Sequence, residues 1–559
     1  MNGFRFLAGL VFVFFPLFSF LPIGLCEPST LLAGAAAFPI TPVDENGVLW
    51  GEPYEDLNGN GRYDAPNPLA PRRPFEPFED LNQNGKWDGP FLAGFHHFGP
   101  YYTAKGVHDP IWSRVLVLNR GETKIGLVAL DLVGFFYSHV QTIREELKDL
   151  GFSQIIVAST HTHGGPDSIG LWGPNPFTDG KDPRFIQYIQ QQTIRALREA
   201  DGKLQPANLR FAKTSVPMNF GPLINDFRDP IVIDDLLLVM QVLGQNGKTI
   251  ATVVNWSPHP ETMGGTSSLI TSDFPHYLRE GIEKGGFRVG NKRFQGVGGI
   301  AIYFSGAVGG LLTTLHVDVK EENGQSLPPR SWSMTRRIGQ IAAGATLDAL
   351  KSQPIIKITH LSVLSKEIFI PLDNQMFLQL NEKGVFNRPT YTDGKAKKEG
   401  KDILTEVNLI TFQRPGGSVS QMITVPGELF PEILVGGYLT EKENCWGYTQ
   451  RKRKLGGRGK ERLAPSHSGI PQEPILRQRM EGEFRFLIGL ANDELGYIVP
   501  ANDFIPPVLT PRGPRYGTDR CGDDDHYEET VSASSKMAPF VTKALVELLE
   551  EQAGSKPSP

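Results

Sequence analysis

Residues 159–168 read STHTHGGPDS and place His161 and His163 one residue apart, directly after the apolar run Ile155–Ile156–Val157–Ala158. In an extended chain residues i and i+2 point to the same face, so both imidazoles are presented together at the end of a buried strand. Histidines delivered in this way begin many metal sites. Neutral imidazole is a zinc ligand, and catalytic zinc often takes two histidines and one carboxylate. Two other segments supply matching residue types. Residues 254–260, VNWSPHP, end a second apolar strand on His259, and residues 425–428, VPGE, put Glu428 at a tight Pro-Gly turn. Spacing alone does not join the three segments, and His259 between two prolines reads equally as a packed or capping residue.

A second chemistry is written in a repeat. Residues 52–64 are EPYEDLNGNGRYD and residues 76–88 are EPFEDLNQNGKWD. Each contains D-x-N-x-N-G-x-x-D. Oxygen ligands at the first, third and fifth positions, glycine at the sixth and an acid at the ninth make most of a calcium loop. The candidate calcium ligands are Asp56, Asn58, Asn60 and Asp64 in the first copy, and Asp80, Asn82, Asn84 and Asp88 in the second. The glutamate that closes an EF-hand is replaced by Asn67 and Phe91, so Glu55 and Glu79, or Glu52 and Glu76, are expected to supply the missing charge. Read without an ion, both copies are Asn-Gly turns. Matching flanks in two copies favour calcium, as a structural ion stapling an inserted loop.

The elements that must position these residues alternate. Strand patterns cover Arg114–Leu118, Lys124–Leu132, Gln154–Ala158, Leu236–Leu243, Thr249–Trp256 and Gly299–Phe304. Helix patterns cover Val140–Leu150, Pro183–Ala200, Phe274–Gly285, Arg336–Leu350 and Ala538–Gln552. Such alternation predicts an α/β core. The length of 559 residues allows more than one domain by itself, and 40% apolar residues supply a sizeable core. A formal net charge of −5 gives no basic excess for nucleic acid. The basic stretch RKRKLGGRGKER within 448–480 lacks an aromatic platform and reads as a flexible surface loop. Met1–Arg5 followed by the apolar Phe6–Leu25 reads as an export signal, with cleavage after Cys26, or else as an uncleaved anchor. If Cys26 leaves with the signal, Cys445 and Cys521 remain, either as a disulfide or as two thiols.

Six short motifs then occur in order: THTHGGP at 160–166, NWSPHPETM at 255–263, TSDFPHYLRE at 271–280, VPGELF at 425–430, GLANDELGYIVP at 489–500 and HYEE at 526–529. Together they resemble the N-terminal catalytic domain of the neutral/alkaline, non-lysosomal ceramidases, from about AAAFPITP at 35–42 to the C-terminal helix. The resemblance implies a mixed-sheet core with flanking helices and one catalytic domain over 27–559, carrying the 52–90 calcium-loop insertion and the 448–480 loop. It implies a zinc amidase acting on a small-molecule or lipid amide, with peripheral membrane contact. His161, His259, Glu428 and Tyr497 match the zinc ligands. His163 matches a residue facing the substrate, and Tyr527 matches a tyrosine that steadies the developing oxyanion. Alone, Tyr497 would read as a core aromatic with a satisfied hydroxyl. Asp131 and Asp273 are expected either to orient the histidines from behind or to cap helices.

One motif departs from the family. Ceramidases carry a G-D-V-S-P segment whose serine is a nucleophile or substrate contact. Here the matching stretch is SGAVGGLLT at 305–313, with Ala307 for the aspartate and Gly309 for the serine. The expected activity is therefore zinc-dependent hydrolysis of a C–N amide bond through activated water. The alternatives are a catalytically silent binding protein of the same fold, or a relative that cleaves esters or lactones.

Overall fold

The computed structural model describes residues 1 and 30–554, apart from 56, 60–62, 65, 67–74, 82, 84, 96–101, 217–219, 227, 229, 230, 311, 398, 399, 438–471, 511, 512 and 516–525. Several expectations lie outside the described residues: the Phe6–Leu25 segment, Asp56, Asn60, Asn82 and Asn84, most of the basic stretch, and all three cysteines.

The chain builds the same unit twice. Strands β1 (Leu32–Pro39), β2 (Trp112–Arg120) and β3 (Thr123–Leu130) form an antiparallel meander. Helix α1 (Tyr137–Glu145) then crosses to β4 (Gln154–Ser159), parallel to β3, and α2 (Pro183–Gly202) follows. The second unit repeats the plan. Strands β5 (Gln205–Ser215), β6 (Leu236–Gly244) and β7 (Thr249–Trp256) are antiparallel. Helix α3 (Phe274–Glu283) leads to β8 (Ile300–Ser305), parallel to β7, and α4 (Trp332–Lys351) closes the unit. The strand order is β8-β7-β6-β5-β1-β2-β3-β4, and the halves pair through Leu32 with Pro206 and Ala33 with Gln205.

Strand alternation decides the layering, because neighbouring residues face opposite sides of a sheet. In β2, Val115 and Val117 pack with Ile189 and Leu197 of α2, whereas Leu116 and Leu118 enter a different core. In the second half, Val239 and Tyr303 pack with Leu278 of α3 and Ile338 of α4, whereas Met240 and Phe304 enter that same inner core. The result is helices, sheet, sheet and helices in four layers. Strands covered on both faces explain the unbroken apolar runs at 125–130 and 155–158. A further sheet is built from β9 (His360–Pro371), β10 (Asp402–Arg414), β11 (Gly417–Thr424) and β12 (Phe484–Ile488). Its Phe412, Met422 and Phe486 complete the inner core.

The α/β core with a mixed sheet and flanking helices is as expected. The helix expected at Val140–Leu150 begins instead at Tyr137 and ends at Glu145; Lys148–Leu150 is a separate 3₁₀ turn closed by Gly151 at φ 65°. Among the described residues no helix is long and apolar enough to cross a membrane.

The two repeats of the insertion fold onto each other. Tyr54 bridges Phe78, and the Tyr63 and Trp87 rings stack at 4.8 Å. The Glu52 carboxylate accepts the backbone N–H groups of Leu81 (2.9 Å) and Asp88 (2.8 Å). Glu76 accepts those of Leu57 (2.9 Å) and Asp64 (3.0 Å). Each glutamate therefore clamps the opposite repeat, and both are buried. Both oxygens of Glu52 and of Glu76, one of the two pairs expected to supply the loops' missing charge, accept backbone donors. Asn58 donates to Asp64 at 2.7 Å, and Asp80 accepts from the Gly85 N–H at 2.7 Å.

Candidate active site

β4 ends at Ser159, and the chain turns sharply. His161 has φ 63°, a left-handed conformation uncommon outside glycine and typical of constrained functional positions. Its Nδ1 lies 2.6 Å from the Val133 carbonyl, which can only accept, so Nδ1 carries the proton and Nε2 presents a lone pair. His259, just beyond the end of β7, is built alike: Nδ1 meets the Leu312 carbonyl at 2.9 Å. Both Nε2 atoms aim at one oxygen of Glu428, at 3.4 Å from His161 and 3.0 Å from His259.

Three acceptors thus converge, and all three side chains are buried. Such an arrangement repels itself unless a proton or a cation stands at its centre. Donor-to-donor distances of this size match the edge of a tetrahedron with zinc–ligand spokes near 2.0–2.1 Å, which is about 3.3 Å. The donor chemistry and spacing fit a divalent metal ion. Burial works to raise the Glu428 carboxyl, but the two imidazoles outweigh it and hold the group well below the ordinary carboxylate range. Burial opposes a charge on His161, yet Glu428 overcomes it and draws that group up.

His163 faces the same space, its ring centroid 4.9 Å from that of His161 and 5.5 Å from that of His259. The ligand nitrogens of His161, His163 and His259 all lie within 4.8 Å of one another, so this buried group could itself hold a metal ion. Gly94 backs the His163 ring: a Cβ there would stand 2.4 Å from the imidazole Cγ, so only glycine permits the approach. His163 Nδ1 is 3.3 Å from Glu261 Oε2, but not in hydrogen-bonding alignment, and neither ring nitrogen has a hydrogen-bond partner. Burial, with His161 and His259 nearby, pulls its titration well down.

Glu428 and Tyr497 are register partners in a two-residue parallel bridge, which sets them side by side. The Tyr497 and Tyr527 hydroxyls are 2.7 Å apart. Burial, reinforced by Glu428 on Tyr497 and by Glu528 on Tyr527, raises both phenols well above their usual range. His161, His163, His259, Glu428, Tyr497 and Tyr527 all line one cavity of about 390 Å³. The rest of its wall is chiefly apolar: Val133, Phe136, Ile169, Leu171, Trp172, Leu372, Phe377, Phe386 and Ile403. The tandem-repeat insertion supports that wall, since Tyr63, Trp87 and Phe91 share a core with Leu171 and Trp172.

Two carboxyl groups in this cavity escaped the sequence reading. Glu261 follows His259 by two residues and takes a short hydrogen bond from the Thr313 hydroxyl; burial raises its carboxyl. Glu494 precedes Tyr497 by three residues. The available signal was an acid inside an otherwise apolar motif, in HPETM and in ANDELGY. Asp131 and Asp273, in contrast, do not orient the histidines. Asp131 forms a buried ion pair with Arg279 at 2.7 Å. Asp273 caps α3 through the Phe274 N–H, with burial pushing its carboxyl up to about 7. Backbone carbonyls, at Val133 and Leu312, do the orienting.

The stretch 305–313, which the sequence resemblance sets against the ceramidase serine segment, is equally clear. Gly309 lies against the Glu428 strand, where a Cβ would stand 2.7 Å from the Glu428 carbonyl oxygen and 2.6 Å from the Phe430 ring. Ser305 is fully buried and donates to the Thr160 carbonyl at 2.8 Å, tying the end of β8 to the chain leaving β4.

No family model matches the chain, and no curated protein matches it. Solved structures do. The neutral ceramidase from Pseudomonas aeruginosa matches with a TM-score of 0.57 at 12% identity, over 95% of this chain and 76% of that one. A structure described as ceramidase complexed with C2 matches with a TM-score of 0.56 at 12% identity over the same shares, 95% and 76%. At that identity the likeness is one of architecture: this chain has a ceramidase-like α/β fold, and that fold brings together a buried histidine group that could hold a metal ion.

Proposed function

We propose that the protein is an exported, zinc-dependent hydrolase of C–N amide bonds acting on N-acyl, sphingolipid-like amphiphiles. The observation that carries this reading is the convergence of His161 Nε2, His259 Nε2 and Glu428 Oε2 at the polar end of a largely apolar cavity. Those residues, with Tyr497 beside Glu428, would hold the ion. When bound, zinc supplies a Lewis acid for the amide carbonyl and lowers the pKa of a bound water to about 7. The chain's own groups do the rest. Val133 and Leu312 fix the two imidazole tautomers, so Nε2 is free to ligate. Tyr527 donates a hydrogen bond to the oxygen on which charge develops, and His163 faces the amide. Phe136, Phe377 and Phe386 receive the apolar arm and keep bulk water away. With Gly309 in place of serine and Ser305 committed to structure, attack by water is the route that needs no acyl-enzyme.

The ceramidase names of the structural neighbours and the ordered motifs support an amide substrate. The apolar Phe6–Leu25 segment supports export. The repeats Asp56–Asp64 and Asp80–Asp88 support structural calcium. The test is elemental analysis of wild type, His161→Ala and His259→Ala, with a panel of N-acyl amides, esters and lactones assayed with and without chelator. One zinc per wild-type chain, lost in both variants, and chelator-sensitive amide cleavage are expected. Equal metal in all three proteins would sink the ligand assignment. Tight zinc without turnover of any substrate would favour a silent binding protein, and turnover of esters or lactones alone would favour that relative.

A further inference from the structure

The apolar wall of the cavity carries donors that nothing in the chain satisfies. Trp172 lines it and is 5% exposed, and its indole Nε1–H is buried without an acceptor. Buried indole N–H groups usually find one. The residue is held by its own loop: the Asp167 carboxylate accepts the backbone N–H groups of Ile169 at 2.9 Å, Gly170 at 2.7 Å and Trp172 at 2.9 Å. That loop lies against the segment bearing Arg388, since a Cβ at Gly170 would stand 2.4 Å from the Val385 carbonyl oxygen. Arg388 also lines the cavity, and its Nε–H is a second buried donor without a partner. Its outer nitrogens pair with Asp493 at 3.0 and 2.8 Å, so its charge is already balanced. Trp256 has an unpaired indole N–H too, but it lies in the core under α3 and α4, in an edge contact with the Phe274 ring, and does not line this cavity. A buried donor left bare is costly, and functional cavities tolerate such groups where a ligand completes them.

We propose that the apolar arm of the substrate carries an uncharged oxygen, as a hydroxyl, oxo or ether group, at the depth of Trp172, and that the Trp172 N–H, with Arg388 Nε–H on the same wall, reads it. This rests on the amide-hydrolase reading and concerns the arm, not the reacting amide. Asp493 balances Arg388 and the indole is neutral, so the wall offers donors without net charge. Such a wall suits a neutral acceptor; a buried carboxylate there would lack a counter-charge. A bare hydrocarbon arm displaces water from both donors and returns no hydrogen bond, whereas an arm with an oxygen in place returns one. The selection depends on an N–H and not on the width of the cavity.

Propylamides sharing a ten-carbon acyl arm test this: the decanoyl amide, its hydroxydecanoyl isomers substituted from the fifth carbon to the tenth, and the amide whose arm ends in a carboxylate. Substitution nearer the carbonyl is left out because it alters the amide itself. Wild type should favour one hydroxyl position, or two adjacent ones, over the bare arm by about five- to a hundredfold in kcat/KM, the range for one buried donor paired or left bare. The carboxylate should bring no such gain. Trp172→Phe should bring the favoured isomer close to the bare arm. Benzothienylalanine in place of Trp172 puts sulfur where the N–H was and keeps the shape of the ring; it should do the same, which separates the lost donor from altered packing. A bare arm used as well as every hydroxyl isomer, a preference that survives both replacements, or a carboxylate favoured above all the hydroxyls would overturn the assignment. If no amide is cleaved, calorimetric dissociation constants for the same set decide. A hydroxyl preference in binding that disappears with the N–H keeps the assignment and sinks the hydrolase reading; equal or absent binding sinks the assignment as well.

Discussion

Placing a serine at position 309, where the ceramidase motif carries one, should damage this protein, not improve it. Gly309 donates its N–H to the Leu429 carbonyl at 2.9 Å. A side chain at 309 would begin 2.6 Å from Phe430 Cδ2, 2.7 Å from the Glu428 carbonyl oxygen and 2.7 Å from the Leu429 carbonyl carbon. Carbon contacts relax near 3.5–4.0 Å, so the 428–430 segment must retreat by about 1 Å. Two of the three atoms are backbone, so no rotamer change relieves them. Overpacking of this kind costs about 1–3 kcal/mol, or about five- to 150-fold in the folding equilibrium. The displacement also passes directly to Glu428, whose Oε2 stands 3.0 and 3.4 Å from the two histidines. A retreat of about 1 Å opens donor separations beyond the edge of about 3.3 Å that a zinc polyhedron needs. The assay is urea unfolding, metal content and amide turnover of Gly309→Ala and Gly309→Ser. Both should be destabilised alike, both should hold less metal, and the hydroxyl should restore no activity. Wild-type stability and metal loading in Gly309→Ser, or a gain of turnover, would refute the steric argument.

Three other outcomes are expected. Ser305→Ala should retain most activity because its hydroxyl serves the Thr160 carbonyl, whereas Tyr527→Phe should keep the metal and lose about a hundred- to a thousandfold in turnover; an acyl adduct on Ser305 in quenched reactions would overturn that division. Calcium should raise the melting temperature, and Asp56→Ala with Asp80→Ala should abolish the rise, while Glu76→Gln should lower stability even with calcium present, since its two bonds to Leu57 and Asp64 are charge-assisted and worth about 1.5–3 kcal/mol each before solvent exposure is discounted. The buried Arg228, 2.9 Å from each of Asp503, Glu528 and Glu529, should set opposite pH limbs. Burial works to raise Glu529, but Arg228 outweighs it and holds the group at about 2, so its contribution is full above 4.5 and lost as pH falls towards 2. Burial prevails over Arg228 at Glu528 and pushes it up to about 8, so its contribution is lost as pH rises from 4.5 to 8. Urea midpoints against pH for Glu529→Gln and Glu528→Gln should flatten the acid and the alkaline limb respectively, and unchanged profiles would contradict the pairing.

Local pattern determined a good deal about this protein. Strands buried on both faces declare themselves as apolar runs, so β3, β4, β7 and β8 were legible within a residue or two, as were α2 and α3, whereas α4 begins at Trp332, four residues before the expected Arg336. Leu32–Pro39 was not, because LAGAAAFP has too little side-chain bulk to read as a core strand. Strands β9 and β10 were missed too, since only Leu361, Ile368 and Ile370 of β9 are buried and the polar Thr405, Glu406 and Asn408 interrupt β10. The H-x-H pair, His259 and Glu428 were visible as residue types suited to a metal. Their convergence was not, because 98 residues separate His161 from His259 and 169 separate His259 from Glu428. Only the packing of the two sheet halves against each other brings the ends of β4 and β7 together. Only the parallel bridge of Glu428 with Tyr497 brings the carboxylate to them. Tertiary structure likewise assigned Glu52 and Glu76 to clamping the repeats and Asp131 to Arg279, and it exposed Glu261 and Glu494 to the cavity. A carboxylate's role depends on which donors surround it after folding, and residue type and spacing along the chain do not carry that information.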